Sequence, residues 1–289
     1  GGGPLVPGLI AYWDFDNAGD IAAGVTVDLV AGLEGEIQGD VEVVDGQFGS
    51  AADLGESENW IRVDAEETGW LAPASDANAL SVSLWQKLNV VRNSSTFWFR
   101  AASAPSNARN FQAHIPWGNN SIFFDTAGCC GGGDTRINKA SDIDYLEWHH
   151  FVFIKNEDHK EIWIDAELFH EGENTTALFD DWMYLSIGSG GIGGTDSYAA
   201  AILDEFGVWA RGITPEEIAT LYNDGKGIPL MHFEGGALPP QLAQLTPSAT
   251  GFVAVLDDGA APGVDVDSVV AVLDGAEVVV SKSKTGGLT

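Results

Sequence analysis

The sequence predicts an all-β protein, an antiparallel two-sheet jelly-roll sandwich with one short C-terminal helix. Short apolar runs with period-two alternation, rich in aromatic and β-branched residues, recur between Gly, Asn and Asp turns. The runs are LIAYWDF, ALSVSLWQKL, STFWFRA, NFQAHIPW, SIFFDT, HHFVFIK, EIWID, MYLSIGS and AAILDEFGVWA. Turns of hairpin length, such as WGNNS and IDAEL, join neighbouring runs, as in antiparallel sandwiches.

Composition supports a packed domain and excludes some partners. Apolar residues make up 45% of the 289 residues, with 10 Trp and 14 Phe, which is enough for a sizeable core. The net charge of −30 repels phosphate backbones, so we expect no nucleic-acid partner. No apolar run approaches the roughly 20 residues of a membrane span, so we expect no membrane insertion. The acidity indicates solubility in salty or extracellular water, or calcium binding.

The single predicted helix lies in ITPEEIATLYNDGKG, after the last strand of the sandwich. Thr214 is the expected N-cap, Pro215 occupies N1 and Glu217 completes a capping box. Ile218 and Leu221 form an apolar stripe, and a glycine at 225 ends the helix. We expect it to close the sandwich.

Composition also divides the chain. We interpret 1–7 as a linker or processed N-terminus, 8–232 as the jelly roll, 233–248 as a proline-rich linker and 249–289 as a partial immunoglobulin-like β module. About 40 residues hold too few strands for a stable sandwich. Either the natural chain is longer, or a neighbouring chain supplies the missing strands in an extracellular filament.

Five segments, in order, resemble the laminin-G-like (concanavalin A-like) jelly rolls of secreted bacterial proteins. They are AYWDFD (11–16), DGQFGSA (45–51), LSVSLWQK (80–87), WHHFVFIKNEDHKEIWIDAEL (148–168) and LDEFGVWARGITPEEI (203–218). The fourth segment ends in Asp165–Ala166 where the family usually has Asp-Gly. The resemblance implies two stacked sheets, with ligands on the concave face or rim loops and calcium at the rim. It does not imply an activity, because the fold hosts lectins, adhesion modules and glycosidases.

A catalytic centre is not supported by the acidic and histidine motifs. Retaining glycosidases place two carboxylates about 5 Å apart, but in EIWIDAE the central position of the acidic face is Trp163, and Asp165 falls in the turn. Adjacent His149 and His150 point to opposite faces of a strand, so they make a poor zinc site with the two cysteines. We expect one histidine inside and the other on the surface.

The strands around 96–126 carry the candidate ligand site. Alternation places Phe97 and Phe99 on one face of their strand and Trp98 on the other. The outward face of the three strands then collects Trp98, Arg100, Gln112, His114, Phe123 and Asp125. Aromatic rings stack on pyranoses, and planar polar groups match their hydroxyls, so this face suits a glycan or polysaccharide. The alternative is that another layer covers the face and its aromatics are core.

A structural Ca²⁺ ion has its own candidate ligands, Asp14, Asp16, Asn17 and Asp204. Asp204 shares a strand face with apolar residues, and a buried carboxylate requires a cation, an arginine or backbone donors. Strands near the two ends of the domain are plausible neighbours, so one ion would tie them together. Backbone hydrogen bonding without metal is the competing account.

The two cysteines, Cys129 and Cys130, are adjacent in DTAGCCGGGD. A bond between them encloses no loop and gives almost no chain-entropy stabilisation. Free thiols and bridges to another chain are alternatives. The flanking glycines permit the backbone of a vicinal disulfide, and we predict one at the rim of the aromatic-polar face, where it offers a flat apolar surface to a sugar ring.

These observations order the functional hypotheses. The first is an extracellular or cell-surface, non-catalytic carbohydrate-binding or adhesion domain. The second is a structural subunit of a filament or surface adhesin, with copies of itself or other surface proteins as partners. A jelly-roll glycoside hydrolase is third.

Overall fold

The structure is a computed structural model of the chain. It describes residues 7–130, 134–188 and 198–228, and the backbone of four strands between 241 and 278. The chain divides into two compact units, Gly8–Leu230 and a second formed by Gly1–Pro7 with Met231–Thr289. Apart from Pro7, the predicted N-terminal linker lies outside the described residues, as does most of the glycine-rich segment after residue 188.

The described part of the larger unit consists mainly of β-strands, as the period-two pattern predicts. In chain order they are β1 (Leu9–Trp13), β2 (Val25–Val27), β3 (Glu34–Gln38), β4 (Glu42–Asp45), β5 (Ser50–Asp53), β6 (Trp60–Asp64), β7 (Ala79–Leu88), β8 (Ser95–Ala101), β9 (Arg109–Trp117), β10 (Ser121–Thr126), β11 (Arg136–Ala140), β12 (His149–Asn156), β13 (His159–Ile164), β14 (Glu167–Glu173), β15 (Trp182–Ile187) and β16 (Ala201–Trp209).

Two antiparallel eight-stranded sheets result, which confirms the predicted sandwich. The first runs β14-β13-β12-β7-β16-β5-β4, with β1 also paired to β16. The second runs β11-β10-β9-β8-β15-β6-β3-β2. The pairing of β1 with β16 brings the two ends of the domain together, as expected.

The core lies between the two sheets and is strongly aromatic. Phe97 of β8 packs against Phe153 of β12, with ring centroids 5.4 Å apart. Phe111 of β9 meets Phe124 of β10 at 4.8 Å. These rings point inward as alternation requires, so the residues between them in sequence point to the opposite face of the second sheet.

Four short helices connect the strands: α1 (Ala18–Ala22), α2 (Ala72–Ala77), α3 (Pro105–Ala108) and α4 (Pro215–Tyr222). The predicted helix is α4. Its capping box is present, with the Thr214 side chain accepting from Glu217 N and the Glu217 side chain accepting from the N-cap N–H. The other three have at most six residues, too few for a helical period to appear in the sequence.

In the C-terminal unit, four strands form two separate antiparallel pairs. β17 (Gln241–Ser248) pairs with β18 (Gly251–Asp257), and β19 (Ala271–Leu273) pairs with β20 (Ala276–Val278). Residues 241–248 of the predicted linker therefore form a strand whose backbone pairs with β18. The bounds of the linker and of the immunoglobulin-like module stay a prediction.

Candidate functional site

Residues directly opposite one another on six strands form a continuous row across the outward face of the second sheet. From β6 to β11 the row reads Arg62, Ser186, Trp98, Gln112, Asp125 and Arg136. Directly opposite residues in antiparallel pairs have Cβ atoms about 5 Å apart. The register therefore gathers an indole, an amide, a carboxylate and two guanidinium groups into one line.

The six strand residues predicted for the ligand face do share this face. Their exposure differs from an open surface, because only Phe123 is half-buried while Trp98, Arg100, Gln112, His114 and Asp125 are buried. The alternative that another layer covers this face is thus correct in that its residues are buried, but the face is not an apolar core. The buried groups are mainly polar.

One cover is the connection between β8 and β9, which contains α3. Ser106, Asn107 and Ala108 have positive φ, between 56° and 69°, which turns the chain sharply back. The Asn107 carbonyl then accepts from Nη1 of Arg100 at 3.2 Å. The sequence of this connection carries no signal for such a return, so alternation alone left the exposure of the face open.

Guanidinium groups lie over the aromatic rings of this face. The Arg100 group is 3.8 Å from the Trp98 ring centre and 5.4 Å from that of Tyr184. Arg109 lies 4.7 Å from the Trp98 ring, and Arg62 lies 4.7 Å from the Tyr184 ring. Arginine stacks in this way because its planar, weakly hydrated cation meets the negative face of the ring.

A fully buried carboxylate, that of Asp125, holds two of the arginines. Arg136 binds it with two bonds, Nε to Oδ1 at 2.5 Å and Nη2 to Oδ2 at 2.6 Å. Arg109 Nη1 donates to Oδ2 at 2.7 Å. Charge-assisted bonds of this kind fix side-chain geometry, so Asp125 holds the Arg109 guanidinium beside Trp98 and the Arg136 guanidinium beside Phe123.

Several buried polar atoms of this site have no hydrogen-bond partner among the residues that the structure describes. They are Trp98 Nε1, Gln112 Oε1, Arg100 Nε and Arg109 Nε. A buried donor or acceptor without a partner costs about 1–3 kcal/mol. Three other buried atoms, on Trp13, His150 and Asp181, also lack a partner among the described residues, but on this face four lie together, where water or a ligand could bond to them.

His114 completes the face as a neutral group. Its Nδ1 is 2.8 Å from Ser95 Oγ, and its ring centre is 4.5 Å from that of Trp117 and 6.1 Å from that of Phe123. Burial lowers the pKa of His114 to about 3. The imidazole therefore serves hydrogen bonding and packing at neutral pH.

The vicinal disulfide between Cys129 and Cys130 is present and follows β10. Cys129 is buried, whereas Cys130 is exposed and has φ of +64°. Arg109 Nη1 lies 3.7 Å from Cys130 Sγ, and Ser106 Oγ donates to the Cys129 carbonyl at 2.9 Å. The disulfide thus borders the buried arginine site at its exposed edge.

The acidic hairpin EIWIDAE uses Asp165 for structural hydrogen bonds. Asp165 and Ala166 form the turn, with φ of 52° and 62°. The Asp165 carboxylate accepts from the backbone N–H of His150 at 2.9 Å and lies 2.7 Å from Nδ1 of His149. This hydrogen bond raises the pKa of His149. Asp165 is therefore engaged with the neighbouring strand.

The two adjacent histidines separate as predicted. His150 is buried, with Nε2 2.8 Å from Ser83 Oγ, and burial lowers its pKa to about 4. His149 is only partly buried. Across the described residues, no group of three or more His, Cys, Asp or Glu side chains is arranged to hold a metal ion.

The predicted calcium ligands fall into two arrangements. Asp204 is fully buried, and its carboxylate accepts from Phe48 N at 3.0 Å and Glu205 N at 2.9 Å, which is the backbone alternative. Asp16 accepts from the N–H of Ser50, close to Phe48 in the chain. Burial raises the pKa of Asp204 to about 7, and Asp16 contributes through its charge.

Asn17 is used differently from the other three. Its Oδ1 caps α1 by accepting from Gly19 N and Asp20 N, and its Nδ2 donates to Asp20. Asp14 accepts from Asp16 N, and burial raises its pKa. Calcium itself stays a prediction.

Sequence reasoning missed Arg62, Arg109, Arg136 and Tyr184. Tyr184 and Ser186 alternate with inward-pointing residues in MYLSIGS, so the sequence pattern does predict that their side chains point outward. The strand β11, RINKA, has one buried apolar residue and gives no alternation signal. Arg109 comes opposite Arg100 through a register shift that nothing in the sequence marks.

The two stacked antiparallel sheets define a jelly-roll sandwich as the class of protein. A profile of the concanavalin A-like lectin/glucanases superfamily matches residues 60–219. The chain belongs to this superfamily, so the resemblance drawn from the five segments is confirmed. A search of curated protein sequences finds no match.

Solved structures of botulinum neurotoxin binding domains share the fold. The serotype DC domain, solved in complex with rat synaptotagmin II, is 16% identical with a TM-score of 0.57, covering 75% of this chain and 51% of its own. A type C domain, from work on cell entry that depends on two ganglioside molecules, is 17% identical with a TM-score of 0.57, covering 76% and 51%. The match thus spans about half the length of these domains.

Proposed function

We propose that this protein is a non-catalytic carbohydrate-binding domain that works outside the cell or on its surface, with the outward face of the second sheet as its site. The observation that carries the proposal is a group of four buried polar atoms, on Trp98, Arg100, Arg109 and Gln112, that have no hydrogen-bond partner in the described ranges. A saccharide has hydroxyl groups that both donate and accept, which matches three donors and one acceptor.

The surroundings of these atoms also suit a sugar. Tyr184, Trp60 and Phe123 are half-buried on the same face, and the Trp60 and Tyr184 ring centres lie 6.5 Å apart. Such rings stack on the apolar side of a pyranose while amides and guanidinium groups bind its hydroxyls. Solved relatives of this fold include ganglioside-dependent and receptor-bound neurotoxin domains, which supports a binding role.

Two observations support the non-catalytic part of the proposal. The only carboxylate in the buried row, Asp125, is neutralised by two arginines, and a retaining glycosidase needs a second free one about 5 Å away. Burial lowers the pKa of His114 on this face to about 3, so its imidazole is neutral near pH 7 and does not act as an imidazolium acid.

The extracellular setting is inferred from chemistry. A disulfide persists in oxidising compartments, and the chain carries a net charge of −30. Within the described part of the chain, no helix has the length and apolar character needed to cross a membrane.

A glycan array tests the proposal with wild type, Trp98→Ala and Gln112→Met. We expect wild type to bind at least one glycan class and both variants to lose about tenfold or more in affinity, since each removes part of the unpaired set. Gln112→Met preserves side-chain volume, so its fold is expected to survive. Trp148→Ala is the matched control, because Trp148 lies under a cation, Lys87, away from this face.

Absence of wild-type binding to every glycan on the array overturns the proposal. Equal losses in Trp98→Ala and Trp148→Ala would also contradict it, because the effect would then not belong to this face. Circular dichroism of each variant separates lost binding from lost structure.

A second function rests on the C-terminal unit. Its described strands form two separate two-stranded sheets, and a lone hairpin is marginally stable in water. We propose that a neighbouring copy supplies further strands to this module in an extracellular assembly. Size-exclusion chromatography of the chain over a range of concentrations tests this, and a particle that stays monomeric throughout overturns it.

A further inference from the structure

The outward face of the second sheet concentrates positive charge in a strongly acidic protein. The chain has 43 acidic and only 13 basic residues. Four arginines, Arg62, Arg100, Arg109 and Arg136, nevertheless stand over or beside the aromatic rings of this one face. Solubility does not explain arginines that are buried, so their placement indicates a local requirement.

Three of these four arginines form an ion pair with a carboxylate among the described residues, and Arg100 does not. Asp125 serves Arg109 and Arg136, and Asp64 lies 3.6 Å from Arg62. Arg100 makes no ion pair with any residue in the described ranges, and its one hydrogen bond goes to the Asn107 carbonyl. Yet Arg100 is 1% exposed.

A buried guanidinium without a counter-charge is unfavourable. Moving a charge out of water costs several kcal/mol unless an opposite charge or a full set of hydrogen bonds replaces the solvent. The Trp98 and Tyr184 rings offset part of this cost. Arg109 adds repulsion, and burial together with this neighbour lowers the pKa of Arg100. An anion bound at Arg100 would remove the imbalance.

Positive groups also outnumber carboxylates in the immediate surroundings of Arg100. Arg100 and Arg109 lie over the Trp98 ring, and the Asp125 carboxylate that binds Arg109 is shared with Arg136. The surrounding protein is acidic and would repel an anion at long range, with screening beyond about 8–10 Å at physiological salt. Such a site selects an anion by direct contact.

We propose that the ligand of this face is an acidic saccharide whose anionic group, a carboxylate or a sulfate, pairs with Arg100 while its ring packs beside Trp98 and Tyr184. This inference rests on the proposed carbohydrate-binding function and names its ligand class. Guanidinium groups bind carboxylates and sulfates through parallel N–H bonds, and the Nε of Arg100 has no protein acceptor.

The half-buried part of the face supplies the approach. Tyr184 lies between buried Arg100 and Arg62, whose side chain is 36% exposed. Arg62 and Asp64 form a partly exposed pair, which is weak and easily rearranged. An acidic sugar meets Arg62 first and then places its anion at Arg100.

The test is isothermal titration calorimetry of the whole chain with pairs of oligosaccharides that differ only in charge. Tetragalacturonate carries carboxylates, and its fully methyl-esterified form has the same rings without charge. Sulfated and desulfated carrageenan oligosaccharides form the second matched pair. We expect one acidic member to bind about tenfold or more tightly than its neutral counterpart, and the pair that shows this difference identifies carboxylate or sulfate.

Arg100→Met and Arg100→Lys assign the effect to this residue. We expect Arg100→Met, which keeps a long apolar stem, to abolish the preference for the acidic ligand, and Arg100→Lys to restore part of it. Arg92→Gln is the control, because Arg92 also donates to backbone carbonyls, those of Glu56 and Tyr198, but lies in the loop between β7 and β8 and not on a strand of this face. A preference retained in Arg100→Met overturns the assignment.

The outcomes separate this inference from the proposed function. Equal binding of acidic and neutral members of both pairs overturns the acidic-saccharide inference and leaves carbohydrate binding standing. No binding to any oligosaccharide here or on the array overturns both.

Discussion

Replacing Asp125 by asparagine tests whether this carboxylate organises the arginines beside Trp98. The substitution keeps the shape of the side chain and removes its charge. Asp125 is fully buried and receives three hydrogen bonds from Arg109 and Arg136, at 2.5, 2.6 and 2.7 Å. In Asp125→Asn, two guanidinium groups face an amide that can accept only at its oxygen.

The magnitude follows from burial. Removing one partner of a buried ion pair costs about 3–5 kcal/mol, because the remaining charge is left without compensation. The Arg109 and Arg136 side chains are 11% and 24% exposed, so part of that cost is relieved by water. We therefore expect a loss near 3 kcal/mol in the free energy of unfolding. At about 2–4 °C per kcal/mol for a unit of this size, the melting temperature falls by roughly 6–12 °C.

Urea unfolding followed by tryptophan fluorescence, with melting by circular dichroism, measures this loss. Asp64→Asn is the matched control, since Asp64 pairs with Arg62 on the same face at 3.6 Å while both side chains are about one third exposed. Exposed pairs contribute about 0–1 kcal/mol. If Asp125→Asn and Asp64→Asn lose similar amounts, the argument that burial gives the Asp125 pairs their weight is refuted.

Three further expectations concern Asp204, calcium and the disulfide. Burial raises the pKa of Asp204 from 3.8 to about 7, so between these pH values the folded protein binds a proton that the unfolded chain does not. The free energy of unfolding therefore falls as pH rises through this window. In Asp204→Asn, the free energy of unfolding measured across pH 4–8 should depend less on pH. Bound calcium at Asp16 and Asp204 would oppose that fall, so a melting midpoint near pH 7 that is the same with calcium and with chelator contradicts a calcium site. Unreduced peptides containing Cys129 and Cys130 should lack two hydrogens by mass spectrometry; reduction should barely change stability, because the bond closes no loop, and two alkylatable thiols in native protein would exclude the disulfide.

Local geometry explains why much of the fold was predictable. Side chains alternate along a strand, so STFWFRA alone places Phe97 and Phe99 in the core and Trp98 and Arg100 opposite. The capping box of Thr214 and Glu217 lies within one helical turn. The vicinal disulfide joins neighbours in the chain. Each feature depends on residues close in sequence.

The candidate site was only partly predictable, because its key contacts join distant strands. Asp125 and Arg136 are opposite only because β11 pairs with β10, and RINKA shows no strand pattern. Tyr184 comes beside Arg100 because β15 inserts between β6 and β8, although it lies more than 80 residues along the chain. Strand order of this kind is a property of the whole sheet.

By itself, the sequence determined the fold class, the inward and outward sets of residues on each strand and the helix that follows the last strand. Tertiary structure alone decided that the outward face of the second sheet is covered, that Asp125 is shared by two arginines and that Arg100 pairs with no carboxylate among the residues described. The physical reason is the separation along the chain of the residues that interact. Side-chain direction is set by the backbone of one strand, whereas charge pairing and burial depend on which strands and loops the completed fold brings together.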